Sequence, residues 1–127
     1  MKIKLARIYV NDQDKALKFY TEVCGMEKKV DITAGNYRWL TLIFPNSPDF
    51  ELLLEPNANP SAKAYQNALF EQGQPSAFFS VDDTNKEFEH LKGLGVKFKT
   101  EPTKMGPVTF AVFDDGLGNL VQLVQGG

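Results

Sequence analysis

The chain offers few residues equipped for chemistry, and their positions limit what they can do. It holds one histidine and one cysteine. His90 falls inside a helical stretch beside Glu89 and near Lys92, where a solvated position is expected. Cys24 closes an amphipathic stretch next to Gly25 and reads as a small buried residue, since an unpaired cysteine usually packs like a hydrophobe. An internal disulfide is excluded by number alone. The carboxylates Glu51 and Glu55 bracket Leu53 in an apolar run, and alternation puts all three side chains on one face of a strand. Either glutamate is a nominee for a general base, although the plainer expectation puts both near the strand ends in contact with solvent. Both arginines, Arg7 and Arg38, fall in expected strands. A planar guanidinium on an open sheet face suits a carboxylate or phosphate, and Tyr37-Arg38-Trp39 could add a stacking edge for a planar ligand. For Arg38 the favoured expectation is a side chain running past the sheet edge to water. For Arg7 the ligand-anchoring and solvated readings stay open.

The elements that must carry these residues are written twice. Val10, Asp12, Lys15, Leu17 and Tyr20 meet Val81, Asp83, Lys86, Phe88 and Leu91 at one constant offset. Gly25-Met26 then meets Gly95-Val96 after a one-residue slip at the helix end, and Leu52-Leu53-Leu54 later meets Val121-Gln122-Leu123. Each copy reads as strand, helix and three strands. In the first, Asp12 is the expected N-cap, Gly25 the stop, and the strands lie near Glu27–Ile32, Tyr37–Phe44 and Phe50–Glu55, with Pro45-Asn46-Ser47-Pro48-Asp49 as the turn. In the second, Asp83 caps a helix ending at Gly95. Its strands are Ala77–Val81, Val96–Thr100, Val108–Phe113 and Leu120–Val124, closed by the turn Asp114-Asp115-Gly116-Leu117-Gly118-Asn119. Asn59-Pro60 opens a short helix around Tyr65 and Leu69 that stops at Gly73. The expectation is one α+β domain: module one over about residues 1–58, a linker helix over about 59–73 and module two over about 74–127.

Alternation also sorts the strands by face. Leu5, Arg7 and Tyr9 share a face opposite Ala6, Ile8 and Val10, and in module two Ser76, Phe78 and Ser80 join Leu120, Gln122 and Val124. Helices cover one face of each sheet, and the two uncovered faces can curl around a cleft lined by apolar and aromatic side chains. A filled hydrophobic core accounts for several of these residues equally well. At a net charge of −2, with lysines scattered, nothing favours nucleic acid or an anionic membrane as partner. No stretch has the length and apolarity of a membrane span or a secretory signal, so a cytoplasmic location is the default expectation.

Val10-x-Asp12-x-x-Lys15-Ala16-x-x-Phe19-Tyr20 followed by Gly25-Met26 resembles the first-module signature of the vicinal-oxygen-chelate superfamily, which includes glyoxalases, bleomycin-resistance proteins and dioxygenases. Gly106-Pro107-Val108-Thr109-Phe110 through Asp114-Asp115-Gly116-x-Gly118-Asn119-Leu120 resembles its closing hairpin. The resemblance covers essentially the whole chain and implies two tandem βαβββ modules forming a curved mixed sheet around a cleft. It also implies four metal-ligand positions, one on the first and one on the fourth strand of each module, which fall here on Leu5, Leu53, Ser76 and Gln122. Aliphatic chains coordinate nothing, and a serine hydroxyl and an amide make a poor set for Zn²⁺ or Ni²⁺, so no metal or other cofactor is expected. The expected function is binding of a small molecule in a cleft lined by Leu5, Arg7, Tyr9, Trp39, Leu53, Ser76, Phe78 and Gln122, with no catalytic residue assigned. The alternative is an enzyme of the lactoylglutathione lyase, dioxygenase or epimerase kind with a non-standard metal site or general base. The resemblance further implies a homodimer.

Overall fold

The computed structural model describes all residues from Met1 to Gly127. Eight strands and three α-helices form two compact units, Met1–Lys63 and Ala64–Gly127. In the first unit the strands are β1 (Leu5–Val10), β2 (Glu27–Ala34), β3 (Tyr37–Phe44) and β4 (Ser47–Pro56), with helix α1 over Gln13–Lys18. The sheet runs β1-β4-β3-β2, β1 parallel to β4 and the other pairs antiparallel. Helix α2 (Pro60–Glu71) crosses the boundary between the units. The second unit repeats the plan with β5 (Ala77–Ser80), α3 (Thr84–Gly93), β6 (Lys97–Met105), β7 (Val108–Asp114) and β8 (Leu120–Gln125), in the order β5-β8-β7-β6. The chain is an α+β protein built from two four-stranded mixed sheets.

The same local chemistry starts the first helix of each copy. The Asp12 carboxylate accepts the Lys15 backbone N–H at 3.0 Å, and Asp83 accepts that of Lys86 at 3.1 Å, so each occupies an N–H that the first helical turn leaves without a partner. The helices then differ. Beyond Lys18 the first widens into a π-helical turn over Phe19–Val23, whereas α3 stays α-helical to Gly93. A π turn holds one residue more than an α turn over the same rise. That accounts for the slip between the copies, since Val10 to Gly25 is one residue longer than Val81 to Gly95. The widening still leaves Ala16 and Tyr20 fully buried, while Val23 is half-buried and so is Cys24, which was expected to be buried.

In each unit the core lies between helix and sheet. Ile8, Val10, Leu40, Leu42, Leu52 and Leu54 are buried in the first, and Phe88, Leu91, Ala111, Phe113, Val121 and Leu123 in the second. Burying each large side chain contributes roughly 1.5–3 kcal/mol. Polar contacts fix the helix on this side. Gln13 Nε2 donates to the carbonyls of Arg38 (3.1 Å) and Leu54 (2.9 Å), which anchors α1 to two strands. Arg38 does not run to water as expected. Its Nε and Nη2 each lie 2.9 Å from an Asp31 oxygen, and Nη1 reaches Asp14 on α1 at 2.6 Å. The side chain belongs to the helix side of β3, and two acids close enough to neutralise it remove any reason to seek solvent.

The linker helix is held on its inner side by an amide. Tyr65 is 62% exposed and Leu69 half-buried, while Gln66 is buried. Gln66 Nε2 donates to Asn119 Oδ1 (3.1 Å), and the Asp115 carboxylate in turn accepts Asn119 Nδ2 (3.0 Å) and the Leu117 and Asn119 N–H groups. This buried polar chain ties α2 to the β7–β8 turn. Gly118 stands against it with φ +103°, and a Cβ there would meet Gln66 Nε2 at 2.7 Å. Gly118→Ala is expected to destabilise the protein by about 1–3 kcal/mol, from both the backbone conformation and the displaced amide; urea unfolding measures the loss.

Candidate functional site

The face of the first sheet turned away from α1 is built by register. Leu5 pairs with Glu51, Arg7 with Leu53 and Tyr9 with Glu55. On the other side Thr41 pairs with Leu53, and Tyr37 and Trp39 continue the row, opposite Ala34 and Ile32 on β2. Of the residues expected to line a cleft, Leu5, Arg7, Tyr9, Trp39 and Leu53 therefore share one face. Leu53 is buried, Leu5 and Tyr9 are half-buried, and Trp39 stands 36% exposed beside a more exposed Ile32. Ser76, Phe78 and Gln122 share the corresponding face of the second sheet. Phe78 pairs with Gln122, which pairs in turn with Val112. Phe78 is 63% exposed, and Ser76 and Gln122 are half-buried. The register places Leu53 and Gln122 at equivalent points of their sheets, beside Arg7 and Phe78.

Glu51 corrects an expectation. It is buried, not at a solvent-exposed strand end. β4 starts at Ser47, not Phe50, which moves Glu51 into the interior of the strand, with β1 on one flank and β3 on the other. Its Oε1 accepts the Thr41 hydroxyl at 2.9 Å, and Oε2 lies 3.1 Å from Lys4 Nζ and 3.7 Å from Lys29 Nζ. Lys29 arrives through a bulge. The register jumps between Lys28 and Val30, and a bulge of this kind re-aims the extra side chain. The Thr41 hydrogen bond, aided by Lys4 and Lys29, holds the Glu51 carboxyl below the usual carboxylate range against the opposing effect of burial. A carboxylate so stabilised is a weak general base.

Further along the face the groups are more open. Tyr37 donates its hydroxyl to Glu55 Oε2 at 2.7 Å, and that carboxylate raises the Tyr37 pKa. Glu55 Oε1 is 3.9 Å from Arg7 Nη1, a loose ion pair without a hydrogen bond. The Arg7 guanidinium instead sits over the Tyr9 ring, 5.2 Å from its centre. The Tyr37 and Trp39 rings are 6.4 Å apart and tilted by 45°. The arrangement is an aromatic platform with a guanidinium beside it and an already engaged carboxylate at its end. Sequence reasoning named Tyr37 only as part of a stacking edge and left Ile32 and the lysines out. Alternation could have supplied Tyr37 and Ile32, but nothing in the sequence marks the bulge at Lys29.

Elsewhere, His90 is exposed on α3, and no three His, Cys, Asp or Glu side chains gather closely enough to share a metal ion. No helix is long and apolar enough to cross a membrane.

Comparison with known proteins agrees with this architecture. Residues 2–123 match the family model described as Glyoxalase/Bleomycin resistance protein/Dioxygenase superfamily, and the chain belongs to that superfamily. It is 56% identical over 126 residues to the uncharacterized protein YurT of Bacillus subtilis (strain 168), covering 98% of this chain and 99% of that one. Among solved structures, UcmS2 superposes with a TM-score of 0.86 at 32% identity, covering 98% of this chain and 97% of its own. TnmS3, described as an antibiotic binding protein from Streptomyces sp. CB03234, shares the fold with a TM-score of 0.80 at 24% identity, over 100% of this chain and 97% of its own.

The dependence of stability on Glu51 has a definite sign. A carboxyl whose folded pKa is depressed adds stability above its unfolded value, and that stability is lost as pH falls through the folded value. Glu51→Gln is expected to cost about 1–3 kcal/mol at pH 7, the scale of hydrogen bonds to a buried charge. The gap to wild type should close as pH drops below the ordinary glutamate value; urea unfolding at several pH values measures it.

Proposed function

We propose that this chain is a metal-independent member of its superfamily that binds a small planar molecule on the open face of its first sheet. The observation that carries the reading is the chemistry of the family's ligand positions taken with the residues around them. Leu5 and Leu53 have no lone pair to offer, and Leu53 is buried by its neighbours. Ser76 and Gln122 bring only a hydroxyl and an amide, which do not fit a divalent transition metal. The carboxylate closest in register, Glu51, is already neutralised by Lys4 and Lys29. This argues against the enzymatic alternative by way of Glu51, one of its two nominated bases.

What remains on the face suits binding. Trp39, Tyr37 and Ile32 present partly exposed apolar surface, and Arg7, Tyr9 and Glu55 supply a few polar groups at one side. Mostly apolar walls with few polar groups are the common make-up of a small-molecule site. The description of TnmS3 as an antibiotic binding protein indicates that the fold serves such a purpose in at least one protein.

Two measurements test the proposal. Protein purified without chelator or nickel affinity resin is expected to hold far less than one divalent ion per chain by elemental analysis; a tight stoichiometric ion would overturn the metal-independent reading. Calorimetric titration with planar aromatic probes is expected to show saturable binding. Trp39→Ala should weaken it by about fivefold to tenfold, the scale of one aromatic contact. Heats that never saturate with any probe would overturn the binding reading.

A further inference from the structure

The two arginines of the first unit differ in a way that points to a ligand class. Arg38 has all three guanidinium nitrogens engaged by Asp31 and Asp14. Arg7 has none of its donors in a hydrogen bond with the protein. Its partners are the Tyr9 ring and a Glu55 oxygen 3.9 Å away, and its side chain is 52% exposed. The Trp39 indole N–H, on the same face, also makes no hydrogen bond within the protein.

Three of the four carboxylate oxygens of Glu51 and Glu55 are already engaged. Glu55 Oε2 receives the Tyr37 hydroxyl, and both Glu51 oxygens are engaged, one by Thr41 and the other by two lysines. A guanidinium with open donors beside largely engaged carboxylates complements an anion. The guanidinium offers a planar fork of N–H groups matched to a carboxylate or another oxyanion.

We infer that the ligand is a planar aromatic anion, its ring against Trp39 and Tyr37 and its anionic group on the free edge of Arg7. The inference rests on the binding reading above and adds to it the sign of the ligand's charge.

Three probes of one shape separate the possibilities: 2-naphthoate, 2-naphthalenemethanol and the 2-naphthylmethylammonium ion, titrated calorimetrically into the full chain. Naphthoate is expected to bind at least about tenfold more tightly than the alcohol, the scale of one charge-assisted contact, with the ammonium ion weakest. Added salt should weaken the naphthoate and leave the alcohol nearly unmoved. Arg7→Met should bring the naphthoate-to-alcohol ratio close to one, while Arg7→Lys keeps part of it. Equal binding of naphthoate and alcohol, tighter binding of the ammonium ion, or a ratio that survives Arg7→Met would each overturn the anionic class while leaving the binding reading in place. Binding by none of the three would overturn the binding reading itself.

Discussion

One helix laid across a four-stranded sheet can shield only one of its two faces, and this constraint sorts the residues of each copy. Alternation sends half of every strand toward the helix, where Ile8, Val10, Leu52 and Leu54 or Val121, Leu123 and Phe113 supply the hydrophobic stabilisation. The other half has no helix to meet. In the first unit that face therefore has to satisfy its own polar groups, and it does so unevenly. At one end Glu51 is buried with a hydroxyl and two lysines around it, while at the other Arg7 is left with a ring and a distant carboxylate. A buried carboxylate without partners would cost several kcal/mol, so the Lys29 bulge and Thr41 belong to folding as much as to any site.

The Arg38 cluster solves the same problem on the helix side. A guanidinium between α1 and β2 closes two ion pairs at once, and the proximity of Arg38 holds the Asp31 carboxyl down at a pKa of about 2. Because Asp14 is largely exposed, that arm contributes little, and the paired geometry with Asp31 carries most of the contact. Together with the Gln13 amide it orients a short helix, Gln13–Lys18 and the π turn behind it, which could not hold its place by propensity alone.

Much of this was legible in the sequence because it depends on local rules. The caps at Asp12 and Asp83, the strand Tyr37–Phe44, the closing turn and the duplication follow from spacing and turn chemistry. What was not legible depends on contacts distant in sequence. The burial of Glu51 needed the true start of β4 and a lysine delivered by a bulge on another strand. The inward fate of Arg38 needed two acids from separate elements. The large side chain that α2 buries is an amide, Gln66, whose partner Asn119 lies in the distant β7–β8 turn. Only the π turn left a trace, as a one-residue slip between the copies whose cause was invisible without coordinates.

The duplication also separates scaffold from site within one chain. Apart from the exposed pair Lys15 and Lys86, positions that match between the copies are caps or helix-side core: Asp12 with Asp83, Tyr20 with Leu91, Leu52 and Leu54 with Val121 and Leu123. On the other face the pairs along the first and last strands of each sheet do not agree in chemistry. Leu5 stands against Ser76, Arg7 against Phe78, Tyr9 against Ser80, Glu51 against Leu120, Leu53 against Gln122 and Glu55 against Val124, each at the same register point of its sheet. Packing therefore accounts for what the copies share, and it places no demand for chemical likeness on the second face. Arg7, Glu51 and Glu55 have no charged counterpart at these points of the second sheet, so the fold alone does not require them. Their cause has to be sought in what that face meets, where an arginine with open donors beside a tryptophan is the most specific feature it presents.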